Sequence, residues 1–464
     1  MKRFFFISKI NPFLRNYFYP CLVQIYRFTI MMKIQSQKPT RVRFSILAAI
    51  FINVVINYMD RSNISVAAPM IADEFHLSTI ELGYIFSAFG WTYALLQIPG
   101  GILTDRYGPR IIYTFSLILW SIVTIAQGFA RGFVSLFGLR MAVGVFEAPS
   151  YPANNRIVTS WFPDKERASA IGVYTSGQFI GLAFLTPSLI ALEHYAGWQG
   201  LFITTGIVGV LWGIAWYIFY RDPSASSRVN QAELDYIREG GALIDPENRM
   251  QKKEMNKFRW KDLKEVFSHR KLWGIYLGQF AVGSALWFFL TWFPTYLVKY
   301  RHIDFIQSGF LASIPFLSAF AGILLAGFLS DYMIKKGVSM SVARKTPIIV
   351  GLLLTISIIG ANYVSRPGLI ILFMCIAFFG NGFASITWVF VSTLAPEHLI
   401  GLTGGVFNFF GGLAGIIVPA VIGYIVTDSN FTPAIILIGV MGILGAMSYV
   451  FLVGKVERVK TDIK

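Results

Sequence analysis

Apolar runs of about twenty residues recur along the whole chain. They lie near 45–68, 82–103, 111–130, 133–153, 167–191, 199–220, 272–298, 306–330, 346–364, 368–392, 399–426 and 431–454. A helix of ~20 apolar residues covers the ~30 Å hydrocarbon core of a bilayer. Backbone polar groups must be satisfied within the segment there, which favours helices for runs of this length. The pattern predicts an all-α membrane protein with twelve transmembrane helices. One long polar stretch, 221–271, interrupts it with twelve basic and nine acidic residues. The predicted organisation is a 1–43 N-terminal segment, a six-helix half over 44–220, a linker over 221–271, a second six-helix half over 272–454 and a 455–464 tail. The linker is expected to be part helical over QAELDYIREGGALI.

Composition agrees with this reading. Charged residues make up 14% of the 464 residues, against about 25% in soluble domains. The net charge of +16 suggests nucleic acid only until its placement is read. If the spans alternate sides from a cytoplasmic N-terminus, 34 of the 40 Lys and Arg fall in cytoplasmic segments. The opposite side keeps only Arg131, Lys299, Arg301 and Arg366. This is the inside-positive bias of an inner-membrane protein with both termini in the cytoplasm. Cys21 and Cys375 imply no disulfide framework, and no metal-ligand spacing occurs. The first thirty residues are basic and aromatic and are interrupted by Pro12 and Pro20. They lack a clean apolar core and a small-residue cleavage site, so they make a poor signal peptide. An interfacial segment is one reading, and a true start at Met31 or Met32 is the preferred expectation.

Four ionisable residues break the apolar runs: Asp60 and Arg61 in the first, Arg140 and Glu147 in the fourth. An ion at the bilayer centre costs roughly 2.5–3.5 kcal/mol on insertion scales, so such residues are paired or used. Helical geometry places Arg140 and Glu147 two turns apart on one face. Tyr58 and Arg61 share a face, while Asp60 and Arg61 point ~100° apart. Asp60 is therefore expected to turn toward Arg140, and Arg61 toward a cavity. Static pairing, Asp60–Arg140 and Arg61–Glu147, is the structural alternative, yet buried pairs contribute little net stability. The four charges sum to zero. A bound carboxylate would make the site −1, and protonating Asp60 or Glu147 would restore neutrality. Anion and proton would then favour each other's binding. Arginine suits the anion, because its planar fork takes a carboxylate through two oxygens.

The turn after the second run reads Gly101-Ile-Leu-Thr-Asp105-Arg106-Tyr-Gly108-Pro109-Arg110, and the second half repeats its core as Gly327-Phe-Leu-Ser-Asp331. Gly101 is expected to let helices approach closely. Asp105 is expected to bond exposed amides at a neighbouring helix start. The pair of turns predicts a gate on the cytoplasmic side.

Two six-span halves, a long central linker and this turn resemble the major facilitator superfamily, whose halves rock about a midplane site. Pro109 departs from the family's usual basic residue. NYMDRSNISVA, FEAPSYPANNRIVTSWFPDKERASAIG, LWFFLTWFPTYL, FFGNGFASITW and GLTGGVFNFFGG resemble the anion:cation symporter branch, closest to bacterial D-galactonate/proton symporters, over roughly residues 40–455. The resemblance implies substrate-cavity roles for Tyr58, Arg61, Tyr93, Gln178, Ser385, Thr387, Trp388 and Asn408, and a protonatable pair in Asp60 and Glu147.

The second half places no Asp, Glu, Lys or Arg within its spans. It offers Trp287, Thr291, Trp292 and Asn381 beside the residues above, and such hydroxyls, amides and rings suit a polyol. The expected function is proton-coupled import of a sugar-acid anion, most directly D-galactonate, with glucarate, a hexuronate or another organic anion as the alternative. No cofactor beyond the coupling proton is expected, nor any obligate protein partner. A drug exporter fits poorly with two intramembrane arginines. A membrane enzyme would need a catalytic cluster that the chain lacks, and a channel would not need the paired turns.

Overall fold

The computed structural model describes residues 38–244, 260–396, 399–427 and 430–459. The N-terminal stretch with its alternative start sites lies outside them. Among the described residues, ten helices are long and apolar enough to cross a membrane. One of these, Asp164–Phe219, contains two spans, because Gly197 at φ 70° breaks it. A further helix, Thr79–Tyr107, falls outside the ten; its central stretch carries Thr92, Tyr93, Gln97 and Pro99 among the apolar residues. Twelve spans result.

The first half contains α1 (Val42–Glu74), α2 (Thr79–Tyr107), α3 (Pro109–Gln127), α4 (Phe133–Glu147, resumed as Ser150–Trp161), and α5 and α6 on either side of Gly197. Two short helices follow, α7 (Gln231–Glu239) and α8 (Trp260–Ser268). The second half contains α9 (Arg270–Thr291, continued to Tyr300), α10 (Phe305–Lys335), α11 (Met340–Thr355, continued to Tyr363), α12 (Pro367–Ala384, resumed as Trp388–Leu394), α13 (Ile400–Ile425) and α14 (Thr432–Met447, continued to Val453). The near side is the end where residues 38 and 459 lie, and the far side is opposite.

Small residues bring the helices together, as expected where lipid offers no hydrophobic drive. Gly351 of α11 and Gly380 of α12 face each other so closely that a side chain on either would collide with the other's carbonyl. The expected close approach at Gly101 falls one residue away. A Cβ on Gly101 would sit 3.6 Å from Pro152, an ordinary contact, whereas one on Gly100 would lie 2.9 Å from the Cα of Pro149. Consecutive helical residues point ~100° apart, and it is Gly100 that makes the close approach to α4 while Gly101 keeps an ordinary contact with it. Gly327 has open space around it.

The halves meet from the centre to the far end. Gly83 of α2 lies against Pro419 and Gly423 of α13, and Tyr84 bonds Tyr424. Phe86 of α2 meets Trp292 of α9 edge-on with ring centroids 5.1 Å apart, and Lys299 pairs with Asp73 at 2.7 Å. Toward the centre, Asn408 Nδ2 donates to Gln97 Oε1 at 2.7 Å.

The linker is tied to the first half. Glu233 of α7 is fully buried. It accepts from Thr40 Oγ1 at 2.6 Å and from the backbone N–H groups of Val42 and Arg43, and it pairs with Arg43 Nη1 at 3.0 Å. Its negative charge therefore caps the start of α1, where unsatisfied amides favour an anion. Arg43 also reaches Glu166 at 3.0 Å, and Tyr236 donates to the same carboxylate.

Candidate functional site

α1 and α4 carry Asp60, Arg61, Arg140 and Glu147 into the interior of the first half, and all four are buried. Arg61 meets Glu147: Nε lies 2.7 Å and Nη2 2.6 Å from the same oxygen, Oε1. Glu147 Oε2 has no hydrogen-bond partner among the described residues. The guanidinium lies over three rings, Tyr58 at 4.9 Å, Phe89 at 4.9 Å and Tyr93 at 4.7 Å. Tyr58 and Arg61 thus share a face, as their spacing implies. Rings stacked on a guanidinium lower the cost of burying it and hold its plane.

Asp60 does not pair with Arg140. Its Oδ2 accepts from the indole of Trp120 on α3 at 2.9 Å, and Asn63 donates to Oδ1 at 3.4 Å. The expected Asp60–Arg140 ion pair does not form among the described residues. Asp60 lies on the side of α1 that faces α3 and α6, where a Cβ on Gly209 would sit 4.0 Å from it. Arg140 lies over the Phe89 ring, 5.4 Å from its centre. Its Nε and Nη1 have no hydrogen-bond partner among the described residues. The interior therefore holds one carboxylate on an indole, one on an arginine, and a second arginine with unpaired donors.

On the second half, α12 changes form where its candidates sit. Ser385–Thr387 form a 3₁₀ turn between Ala384 and Trp388, a form that within a long helix often marks a functional hinge. Ser385 bonds its own helix at Asn381. Thr387 donates to Gln279 Oε1 of α9 at 3.0 Å. Trp388 keeps 51% of its surface exposed and meets Phe407 of α13 edge-on. Asn408 reaches across the halves to Gln97. Gln178 lies on α5, partly buried. Other polar candidates serve packing. Thr291 bonds the Trp287 carbonyl, Trp292 bonds Pro419, and Asn381 donates to the Val282 carbonyl at 2.8 Å.

The two repeated turns anchor differently. Gly108 takes φ 86°, a conformation that glycine alone adopts readily. Arg110 donates to the Tyr217 carbonyl of α6 at 3.1 Å and lies over that ring. Arg106 lies over Tyr107. Asp331 pairs with Arg344 of α11 at 3.0 Å. Asp105 is exposed at the near end of α2.

Four residues belong to this arrangement without having been singled out by sequence: Phe89, Trp120, Gln97 and Gln279. The two glutamines are amides inside apolar runs, which is the signal that could have found them.

A family model described as Major Facilitator Superfamily matches residues 50–419. The chain belongs to the major facilitator superfamily. It is a multi-pass membrane transporter rather than an enzyme, as its relatives are. It is 53% identical over 426 residues to a D-galactonate transporter of Escherichia coli O6:H1, covering 92% of this chain and 99% of that one. It is 40% identical over 434 residues to a probable galactarate/D-glucarate transporter of Escherichia coli K12, covering 92% and 98%. An inward-open xylose transporter from E. coli shares the fold at TM-score 0.66 and 17% identity, over 91% of this chain and 98% of that one. This facilitator's two halves correspond to the two groups of six spans described above.

Proposed function

We propose that this facilitator imports a sugar-acid anion, D-galactonate, together with protons, across the bacterial inner membrane. The observation that carries the reading is the Arg61–Glu147 contact, in which the arginine is held by a single carboxylate oxygen. A substrate carboxylate offers Arg61 two oxygens in its own plane and displaces Glu147. The released, buried Glu147 carboxylate is then stabilised by taking up a proton. Asp60, behind the indole of Trp120, is the second proton site, and Arg140 offsets the remaining negative charge. The polyol chain of the substrate is read by Gln178, Ser385, Thr387, Trp388 and Asn408 from the opposite walls. The proton is the only coupling species, and transport needs no protein partner.

The likeness to a D-galactonate transporter supports the substrate, and the basic bias of the near side supports its placement in the cytoplasm with both termini. Contacts from the centre to the far side then describe a carrier closed to the periplasm. Residues 44–220 and 272–454 move as the two rocking units, and the 221–271 linker spans them. The paired turns at Asp105 and Asp331 close the near side in the other half of the cycle.

The test is uptake of radiolabelled D-galactonate into proteoliposomes with an imposed inward proton gradient. Accumulation that collapses with a protonophore is expected. A competition panel of aldonates, aldarates and uronates identifies the acid, and preference for galactarate or glucarate over galactonate would move the assignment to the second group of relatives. Equal uptake with and without the gradient would rule out proton coupling.

A further inference from the structure

A cleft of about 620 Å³ opens on the near side between the start of α9 and the end of α14. It lies outside the central site, and its lining has two characters. Arg270, Lys271 and Arg458 form one part, and Phe451 and Leu452 the other. Glu457 is the one acid lining it among the described residues. With three basic side chains against one carboxylate, the cleft favours an anion. Two of the cations are already oriented by the fold: Arg270 donates to the Phe451 carbonyl at 2.6 Å and Arg458 to the Ser392 carbonyl at 3.3 Å. The Arg270 guanidinium has five donors in a fork, so its bond to the Phe451 carbonyl leaves others for a phosphate. Lys271 pairs with Glu457 at 3.2 Å.

The height of the cleft matters as much as its charge. It sits where two membrane spans enter and leave the bilayer. Phe451, one of its lining residues, is 61% exposed. The first turn of α9 follows His269 with no side-chain cap, so its amides add positive potential. The helices cannot slide together to fill the space, because Gly274 already touches Val453 and a Cβ there would lie 2.7 Å from it. A soluble anion would use the basic part alone. A molecule with a phosphate and acyl chains uses both parts.

We propose that this cleft is a binding site for the headgroup of an anionic phospholipid, whose phosphate meets Arg270, Lys271 and Arg458 and whose acyl chains run along Phe451 and Leu452. Basic pockets between spans on the cytoplasmic side are suited to such headgroups. The site would brace α9 against α14 at the base of the second half.

The test uses the full chain purified in detergent, probed by native mass spectrometry and thermal unfolding. The added probes are phosphatidylglycerol, phosphatidylcholine with the same acyl chains, or inorganic phosphate. Phosphatidylglycerol is expected to be retained and to raise the unfolding temperature more than phosphatidylcholine. Arg270→Gln with Arg458→Gln should lower phosphatidylglycerol retention by about tenfold or more and leave phosphatidylcholine unchanged. Should that double variant fail to fold, Lys271→Gln and a rise in salt on the unmodified chain read the same contact, and both should weaken phosphatidylglycerol alone. Equal retention of the two lipids, or retention insensitive to these substitutions and to salt, would overturn the proposal. Protection by inorganic phosphate equal to that by phosphatidylglycerol would also overturn it, as the site would then serve a free anion.

Discussion

Arg61 donates from Nε to one oxygen of Glu147 at 2.7 Å, while its Nη2, 2.6 Å from the same oxygen, makes no hydrogen bond among the described residues. The planar fork of the guanidinium is thus engaged by half a carboxylate. Arg61→Lys keeps the charge but removes the two-donor geometry. Binding of galactonate should weaken at least about tenfold, or ~1.4 kcal/mol, as read by titration of the purified protein. Wild-type affinity in Arg61→Ala would show that the anion binds elsewhere.

Glu147→Gln resembles the protonated acid and leaves the site in its anion-accepting charge state. It should exchange labelled for unlabelled substrate, since exchange moves no net proton, and should fail to concentrate substrate under a pH gradient. Both assays belong in the same proteoliposomes. Gradient-driven accumulation by this variant would transfer the coupling role to Asp60.

The Asn408–Gln97 bond joins the halves near their centre. Gln97→Leu and Asn408→Leu should each cost this conformation about 1 kcal/mol, close to a fivefold change in its population. The double variant should be no worse than either single one. Spin-label distances across the near side measure the population, and additive effects would mean that the two amides act independently.

Asp73 and Lys299 pair at the far end with the carboxylate 73% exposed. An exposed pair contributes about 0.2–1 kcal/mol, so Asp73→Asn should shift the far side toward open by less than about fivefold. The exchange Asp73→Lys with Lys299→Asp should restore the original distribution, and distances between far-side labels would reveal any failure to do so.

Glu233 is buried and holds Thr40, Arg43 and the first amides of α1. Removing one partner of a buried pair typically costs about 3–5 kcal/mol. Glu233→Gln should therefore lower the unfolding temperature clearly, and adding Arg43→Gln should lower it little further. An unchanged unfolding temperature in Glu233→Gln would mean that α7 is not a structural tie.

Local periodicity made the spans, the linker and the shared face of Tyr58 and Arg61 legible in the sequence, because each depends on neighbours within two turns. The Arg61–Glu147 contact was legible as one of two static pairings, since a buried arginine needs an acid. Its counterpart, Asp60–Arg140, failed for a physical reason. An indole N–H can occupy a carboxylate oxygen in place of a cation, and nothing near residue 120 marks Trp120 as the donor. The same holds for Phe89, whose ring lies beside both arginines but reads in sequence as one more apolar residue. Gly100 and Gly101 differ by one helical step, a difference that only the packed neighbour resolves.

The turn at Ser385–Thr387 divides α12 into two rigid rods with a joint between them. The rod from Trp388 to Leu394 spans about 10 Å at ~1.5 Å per residue. Flexing the joint by ~10° would sweep the rod's tip by about 2 Å while the rod toward Pro367 stays seated. Under the proposed function, a ligand gripped at the joint would act on a lever, and a small adjustment around one hydroxyl would be delivered, enlarged, to the near end of α12.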